Sequence, residues 1–201
     1  TGKEKAYLLL GDYACNEAQF EITASSSGGN EGGETTYKLT DTIVPGETYL
    51  IVSDNALTGV PSDEIKSYAL SSSVAVPYGV RLQGVNVNIS EENTIIGDKY
   101  NGIEWTAEAD GTIKNVKSGE YLSIVDVRKS LWLGTKPDAD THWSYSNGTM
   151  QHDNSSTEYR YIAYAATIAN EMAAFDISGD TAAEGKIQLY KKVEVVKETD
   201  I

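Results

Sequence analysis

Cysteine, histidine, phenylalanine and methionine are scarce in this 201-residue chain, which has one Cys, two His, two Phe and two Met. With Cys15 alone, no internal disulfide can form and no thiolate metal cluster can be built. The two imidazoles, His142 and His152, are the only neutral-pH acid–base groups of their kind. Basic residues are also outnumbered, 16 against 30 acidic, for a net charge of −14. That field repels phosphate backbones and anionic lipid, so nucleic acid and membrane surfaces are not expected partners. No stretch approaches the roughly 20 apolar residues of a membrane span, so no membrane insertion is expected. No signal peptide opens the chain, which suits a processed piece. No Gly-rich phosphate loop, H-E-x-x-H or G-x-S-x-G pattern occurs.

What remains is abundant and of one kind. Hydrophobic residues make up 40% and charged residues 23%, an ordinary globular balance that excludes a disordered chain. Thirteen Tyr and 18 Gly accompany many Ser and Thr. Tyr and Thr suit a half-buried pleated surface and Gly suits tight turns, so the composition predicts an all-β protein. The length suits one domain with room for an appendage.

Along the chain, residues 1–24 hold two apolar runs, AYLLL at 6–10 and FEIT at 20–23. They are expected to form an N-terminal β-ribbon, either docked on the body or the tail of an upstream domain. Residues 25–34 (SSSGGNEGGE) read as a Gly/Ser linker, 35–193 as the main all-β domain, and 194–201 as a C-terminal linker. Strands are predicted at 48–52, 80–89, 102–107, 112–114, 121–125, 131–133, 143–145, 159–164 and 186–191, with turn signals such as Asp110-Gly111 and Asn147-Gly148. The best helical stretches are 165–174 and 62–70, the second with a Ser N-cap.

Two segments align with each other. Trp105, Asp110-Gly111 and Tyr121-Leu122 recur as Trp143, Asn147-Gly148 and Tyr161-Ile162, with the two tryptophans 38 residues apart. A third Tyr-Leu strand lies at Tyr49-Leu50, preceded by Gly46-Glu47 as Gly119-Glu120 precedes Tyr121. Three such units could close about a pseudo-threefold axis and hide their edges. The segments EWTAEADGTIKNVKSGEYLSI and THWSYSNGTMQHDNSSTEYRYIAY resemble the units of ricin-type β-trefoil lectin modules. The span from YKLTDTIVPGETYLIVS to IQLYKKV also resembles uncharacterised surface modules of gut Gram-positive bacteria. The resemblance implies a β-trefoil-like body with an inserted loop region at about 57–101; a β-sandwich or irregular β-barrel is the alternative. The chain departs from the lectin pattern at Thr141, where that pattern has Gln, and at Ser123, where it has a sugar-binding Asp.

For a ligand, the physical requirement is an exposed aromatic face flanked by hydrogen-bonding groups. Trp105 and Trp143 occupy matching repeat positions and are assigned to the core. In Leu131-Trp132-Leu133, period-2 alternation puts the leucines inward and Trp132 outward. Trp132, with Asp126, Arg128 and His142 as neighbours, is therefore the expected ligand-binding set, and Tyr78, Tyr100 and Tyr145 are secondary candidates. Asp176, Ser178 and Asp180 alternate oxygen ligands in a way that echoes a Ca²⁺ loop; the competing assignment is a plain Gly/Asp turn, and no cofactor is otherwise expected. No catalytic residue is assigned. The expected function is a non-catalytic glycan-binding or adhesion module of a secreted or cell-surface protein, its partners a glycan or a host or cell-wall surface ligand and neighbouring modules of the same polypeptide. A structural spacer is the alternative, and a small hydrolase a third. Exposure of Trp132 separates the first two.

Overall fold

The computed structural model describes residues 34–54, 67–74, 81–125, 130–153, 161–168, 172–178 and 186–193. The expected N-terminal ribbon, the linker up to residue 33 and the tail after 193 lie outside them.

The described chain is all-β. Its first five strands are β1 (Thr36–Thr40), β2 (Thr48–Asp54), β3 (Ser67–Val74), β4 (Leu82–Val87) and β5 (Thr94–Ile96). A single 3-10 turn, Asp98–Tyr100, leads to β6 (Trp105–Ala107), β7 (Ile113–Asn115), β8 (Tyr121–Val125) and β9 (Ser130–Gly134). The last five are β10 (Trp143–Ser146), β11 (Thr149–His152), β12 (Tyr161–Ile168), β13 (Met172–Ser178) and β14 (Lys186–Val193). One sheet runs in the order β10-β11-β12-β13-β4-β3-β2-β6-β7-β8-β9, with β14 joining β2 to β1 and β5 paired on β1. The sheet curls, bringing β9 at its end back against β13.

The paired repeat is visible in the backbone. The Trp143 amide donates to the Gly111 carbonyl, and the Ile187 amide donates to the Gly148 carbonyl, both at 2.9 Å. Ile187 therefore stands where a third tryptophan would. Asn147 (φ 51°) and Gly148 (φ 77°) both hold positive φ, the requirement of a tight turn matched to strand twist, which explains Asn-Gly at this hairpin. Trp105 and Trp143 are both buried, as expected, and each indole N–H is satisfied: Nε1 of Trp105 donates to Leu70 O at 2.9 Å, and that of Trp143 to Leu122 O at 2.8 Å.

Two cores lie on opposite faces of the central strands. The main core holds Tyr49, Ile51, Leu70, both buried tryptophans, Leu122, Ile124, Leu131, Ile162, Phe175 and Leu189. The second holds Tyr37, Leu50, Val52, Ala69, Val87, Ile95, Tyr100 and Tyr190. Tyr49 to Val52 of β2 is apolar at every position because alternate side chains enter alternate cores. The second core comes largely from the stretch left as an insertion by the repeat. Where described, that stretch is strand β3, β4, β5 and the 3-10 turn rather than loop. β4 pairs with both β3 and β13, bridging the first unit to the third.

Where described, both helical expectations give way to strands, with residues 62–66 and 169–171 outside the described residues. Residues 165–168 belong to β12 and 172–174 to β13, where Ala165 faces Ala174 and Ile168 faces Met172. Residues 67–70 begin β3. Helix propensity is a weak bias, and the pairings that bury Ile162, Phe175, Ala69 and Leu70 override it.

A deep polar anchor ties the second core to the sheet. The Tyr37 hydroxyl donates to Glu104 Oε1 at 2.7 Å, Lys192 Nζ meets the same oxygen at 2.8 Å, and Asn115 Nδ2 donates to the Glu104 carbonyl at 3.0 Å.

Candidate functional site

The site is built on the β8–β9 hairpin. In register, Leu122 faces Leu133, Ser123 faces Trp132 and Ile124 faces Leu131. The leucines and Ile124 belong to or pack against the main core. The intervening pair, Ser123 and Trp132, therefore points outward. Trp132 is 37% exposed, against 0% for Leu131 beside it, so alternation places the indole as the sequence predicts.

The loop after β9 folds back across this face. Thr141 Oγ1 donates to Asp138 O at 2.8 Å and accepts from the Asp138 amide at 2.9 Å, closing a tight turn. The Asp140 amide donates to Asp138 Oδ1 at 3.0 Å, and Ile124 N donates to Asp140 O at 3.2 Å, pinning the loop to β8. A methyl group placed on Gly134 would lie 3.3 Å from Thr141 Cγ2 and 3.6 Å from Ser123 Cβ. Gly134 and Trp132 are two apart on one strand and share a face, and Ser123 is the register partner of Trp132. The two departures from the lectin pattern, Ser123 and Thr141, are both buried and meet beside Gly134. The local sequence gives no sign of this, because the contact depends on the loop returning over Gly134.

The expected partners of Trp132 fare differently. Asp126 and Arg128 lie outside the described residues. His142 is half-buried and bridges to Thr112, with Gly111 close to its ring. Its Nδ1 lies 2.8 Å from Asp138 O. A carbonyl only accepts, so Nδ1 carries the proton. No hydrogen bond or ring contact joins His142 to Trp132 among the described residues. Tyr100 is buried in the second core, Tyr145 is half-buried with its hydroxyl donating to Ile187 O at 3.0 Å, and Tyr78 lies outside the described residues.

Asp176, from the candidate Ca²⁺ set, stands in strand β13. Its Oδ2 meets Arg81 Nε at 2.7 Å and its Oδ1 accepts from the Ile177 amide at 2.9 Å. Ser178 ends the same strand and Asp180 lies outside the described residues. Among the described residues, no three His, Cys, Asp or Glu side chains converge as metal ligands. His152 is fully buried and packs edge-on against Trp143 at 5.1 Å, where burial pulls its basicity below the usual imidazole range. Among the described residues no helix is long and apolar enough to cross a membrane.

No known protein-family model matches the chain. No curated protein matches it either. Among solved structures, it is similar to an earthworm lectin C-terminal domain mutant crystallised in complex with 6'-sialyllactose. The TM-score is 0.46 and the sequence identity 10%, over 72% of this chain and 98% of that one.

Proposed function

We propose that this chain is a non-catalytic carbohydrate-binding module of trefoil-like build, carried on a secreted or cell-surface protein, with Trp132 as its stacking platform. The observation that carries the proposal is the exposed indole of Trp132 on β9, between Leu131 and Leu133, which face the main core. An aromatic ring offers its face to the C–H face of a sugar, and short polar side chains at its border bind hydroxyls. Both other tryptophans are buried with their N–H groups satisfied, so packing does not require a third one outside. Asp126 and Arg128, six and four residues before Trp132 in sequence, and His142 remain proposed contributors to binding.

A histidine-based hydrolase would need an imidazole beside a nucleophile; His152 is sealed in the core, and His142 Nδ1 is held by the Asp138 carbonyl. A glycan array with wild type and Trp132→Ala tests the proposal. Binding that disappears in the variant supports it; unchanged binding, or no binding across a broad array, defeats it.

A further inference from the structure

Three hairpins of the body place a residue pair at the same outward position, between two flanking positions that face the main core. In β8–β9 the outward pair is Ser123 and Trp132, flanked by Leu122/Leu133 and Ile124/Leu131. In β12–β13 it is Ala163 and Asp176, flanked by Ile162/Ile177 and Tyr164/Phe175. In β2–β3 it is Val52 and Ala69, with Ile51 and Leu70 on one side and Ser53 and Tyr68 on the other. A threefold body of this kind offers three chances at the same site.

Two of the three are closed, each by a different means. Val52 and Ala69 are both 0% exposed because the second core covers them, with Val87, Ile95, Tyr100 and Tyr190 packed on that face. Ala163 and Asp176 present no ring. The Asp176 carboxylate is taken by Arg81 from beside β4, at 2.7 Å, and its own neighbour amide. Residues 81–104 take part in both closures: Arg81 at the β12–β13 pair, and β4, β5 and the 3-10 turn, with Tyr37 from β1 and Tyr190 from β14, over the β2–β3 pair.

We infer that the module binds one ligand molecule, through the second unit alone, and that residues 81–104 are what reduce three equivalent positions to one. The inference rests on the carbohydrate reading of Trp132 and adds its valency. A body with one site holds its glycan by a single contact and does not cross-link glycan chains, so multivalent attachment would require several copies of the module.

Chemical-shift mapping on the full chain tests this, with four free neutral saccharides as probes: lactose, cellobiose, maltotriose and chitobiose. The Trp132 indole N–H and the backbone amides of Ser123 and Thr141 report the open position; those of Val52 and Ala69, and of Ala163 and Asp176, report the closed ones. Shifts confined to the first group, fitting one equivalent and lost in Trp132→Ala, are expected. Saturable shifts at either closed pair, or residual binding in Trp132→Ala, would overturn the single-site inference while leaving carbohydrate binding intact. An absence of shifts with all four saccharides would instead overturn the carbohydrate reading, and the valency with it. Dispersion of the variant's spectrum shows directly that it is folded.

Discussion

The Tyr37 hydroxyl and the Glu104 carboxylate meet at 2.7 Å beneath the second core, one from β1 and one from the residue before the Trp105 strand. Tyr37 is fully buried and Glu104 nearly so, and Lys192 from β14 completes the carboxylate's environment. The contact joins the first strand, the last strand and the second repeat unit. Tyr37→Phe removes one donor from a buried carboxylate and is expected to cost about 1–3 kcal/mol. Glu104→Ala leaves the lysine unpaired and removes the anchor, for which a fully buried pair would lose about 3–5 kcal/mol. Lys192 is one-third exposed and regains water, so the lower end applies. Urea melts of the two variants check both values, and equal stability to wild type would show that the anchor is dispensable.

Alkaline titration should expose the buried tyrosines. Burial raises the phenols of Tyr37, Tyr49, Tyr145 and Tyr164 above their ordinary value, and that of Tyr164 to about 12. A group whose folded pKa is raised gives its stability in full below the unfolded value, near 10, and loses it as pH climbs. Stability is therefore expected to be flat with respect to these groups up to about pH 10 and to fall above it. Absorbance at the tyrosinate band should rise in two phases. Exposed rings ionise first, and the buried ones follow only with unfolding, seen as a coincident loss of near-UV circular dichroism. A single smooth phase with the fold intact would contradict the burial pattern.

His152 gives the opposite edge of the pH range. Its basicity is lowered by burial, partly offset by a hydrogen bond with the Asp140 backbone and by the Asp140 and Asp153 carboxylates. Below about pH 6.5 the unfolded chain takes up a proton that the folded ring resists. The unfolded state then binds more protons, so stability falls as pH drops. Melting temperatures should decline between about pH 6.5 and 5.5 in wild type and decline less in His152→Gln. Parallel slopes in the two proteins would remove His152 as the cause.

The division between legible and illegible features follows the range of the forces involved. Alternation over three residues suffices to send Trp132 out and Leu131 in, and a repeat of 38 residues suffices to assign Trp105 and Trp143 to the core. The unit that holds Tyr49 is different. Matching Tyr49-Leu50 to Tyr121-Leu122 is natural from sequence, yet Tyr49 and Ile51 face the main core in one case and Leu122 and Ile124 in the other. The two motifs differ by one residue in which side chains point inward. In a run such as YLIV every position is apolar, so both phases satisfy the pattern, and only the second core on the far face settles it. That core is assembled from Tyr37, Val87, Ile95 and Tyr100, which lie far apart in sequence and share no period. The packing against the hairpin is equally non-local: Thr141 meets Gly134 only because its loop closes over that strand.

The tryptophans should separate stability from binding. Trp143→Ala empties a buried site and orphans the Leu122 carbonyl, an expected loss of about 3–5 kcal/mol. Trp132→Ala trims a partly exposed ring and should move stability by only about 0.5 kcal/mol. Thermal melts of the two variants make the comparison. A large loss in Trp132→Ala would mean that the indole is a packing residue, which would remove the basis for a stacking platform.

Gly134 permits the loop to lie against the hairpin, and its replacement should disturb the site more than the fold. Its φ lies outside the left-handed region, so alanine is allowed by the backbone. The new methyl would stand 3.3 Å from Thr141 Cγ2, closer than these atoms pack comfortably, and at ordinary contact, 3.5 Å, from Lys136 O. Thr141 is buried and bonded twice to Asp138, so the turn shifts as a unit rather than by one side chain. Overpacking of this size costs about 1 kcal/mol, at the low end for an inserted methyl, because the loop is partly exposed and yields outward. The displaced turn carries Asp138 and Asp140 away from Trp132. Gly134→Ala is therefore expected to stay folded and to weaken binding of any glycan that Trp132→Ala abolishes, with shifted amide resonances from residues 136 to 142. Wild-type affinity in Gly134→Ala, with those resonances moved, would show that the Asp138–Thr141 turn takes no part in recognition and that Trp132 and Ser123 act without it.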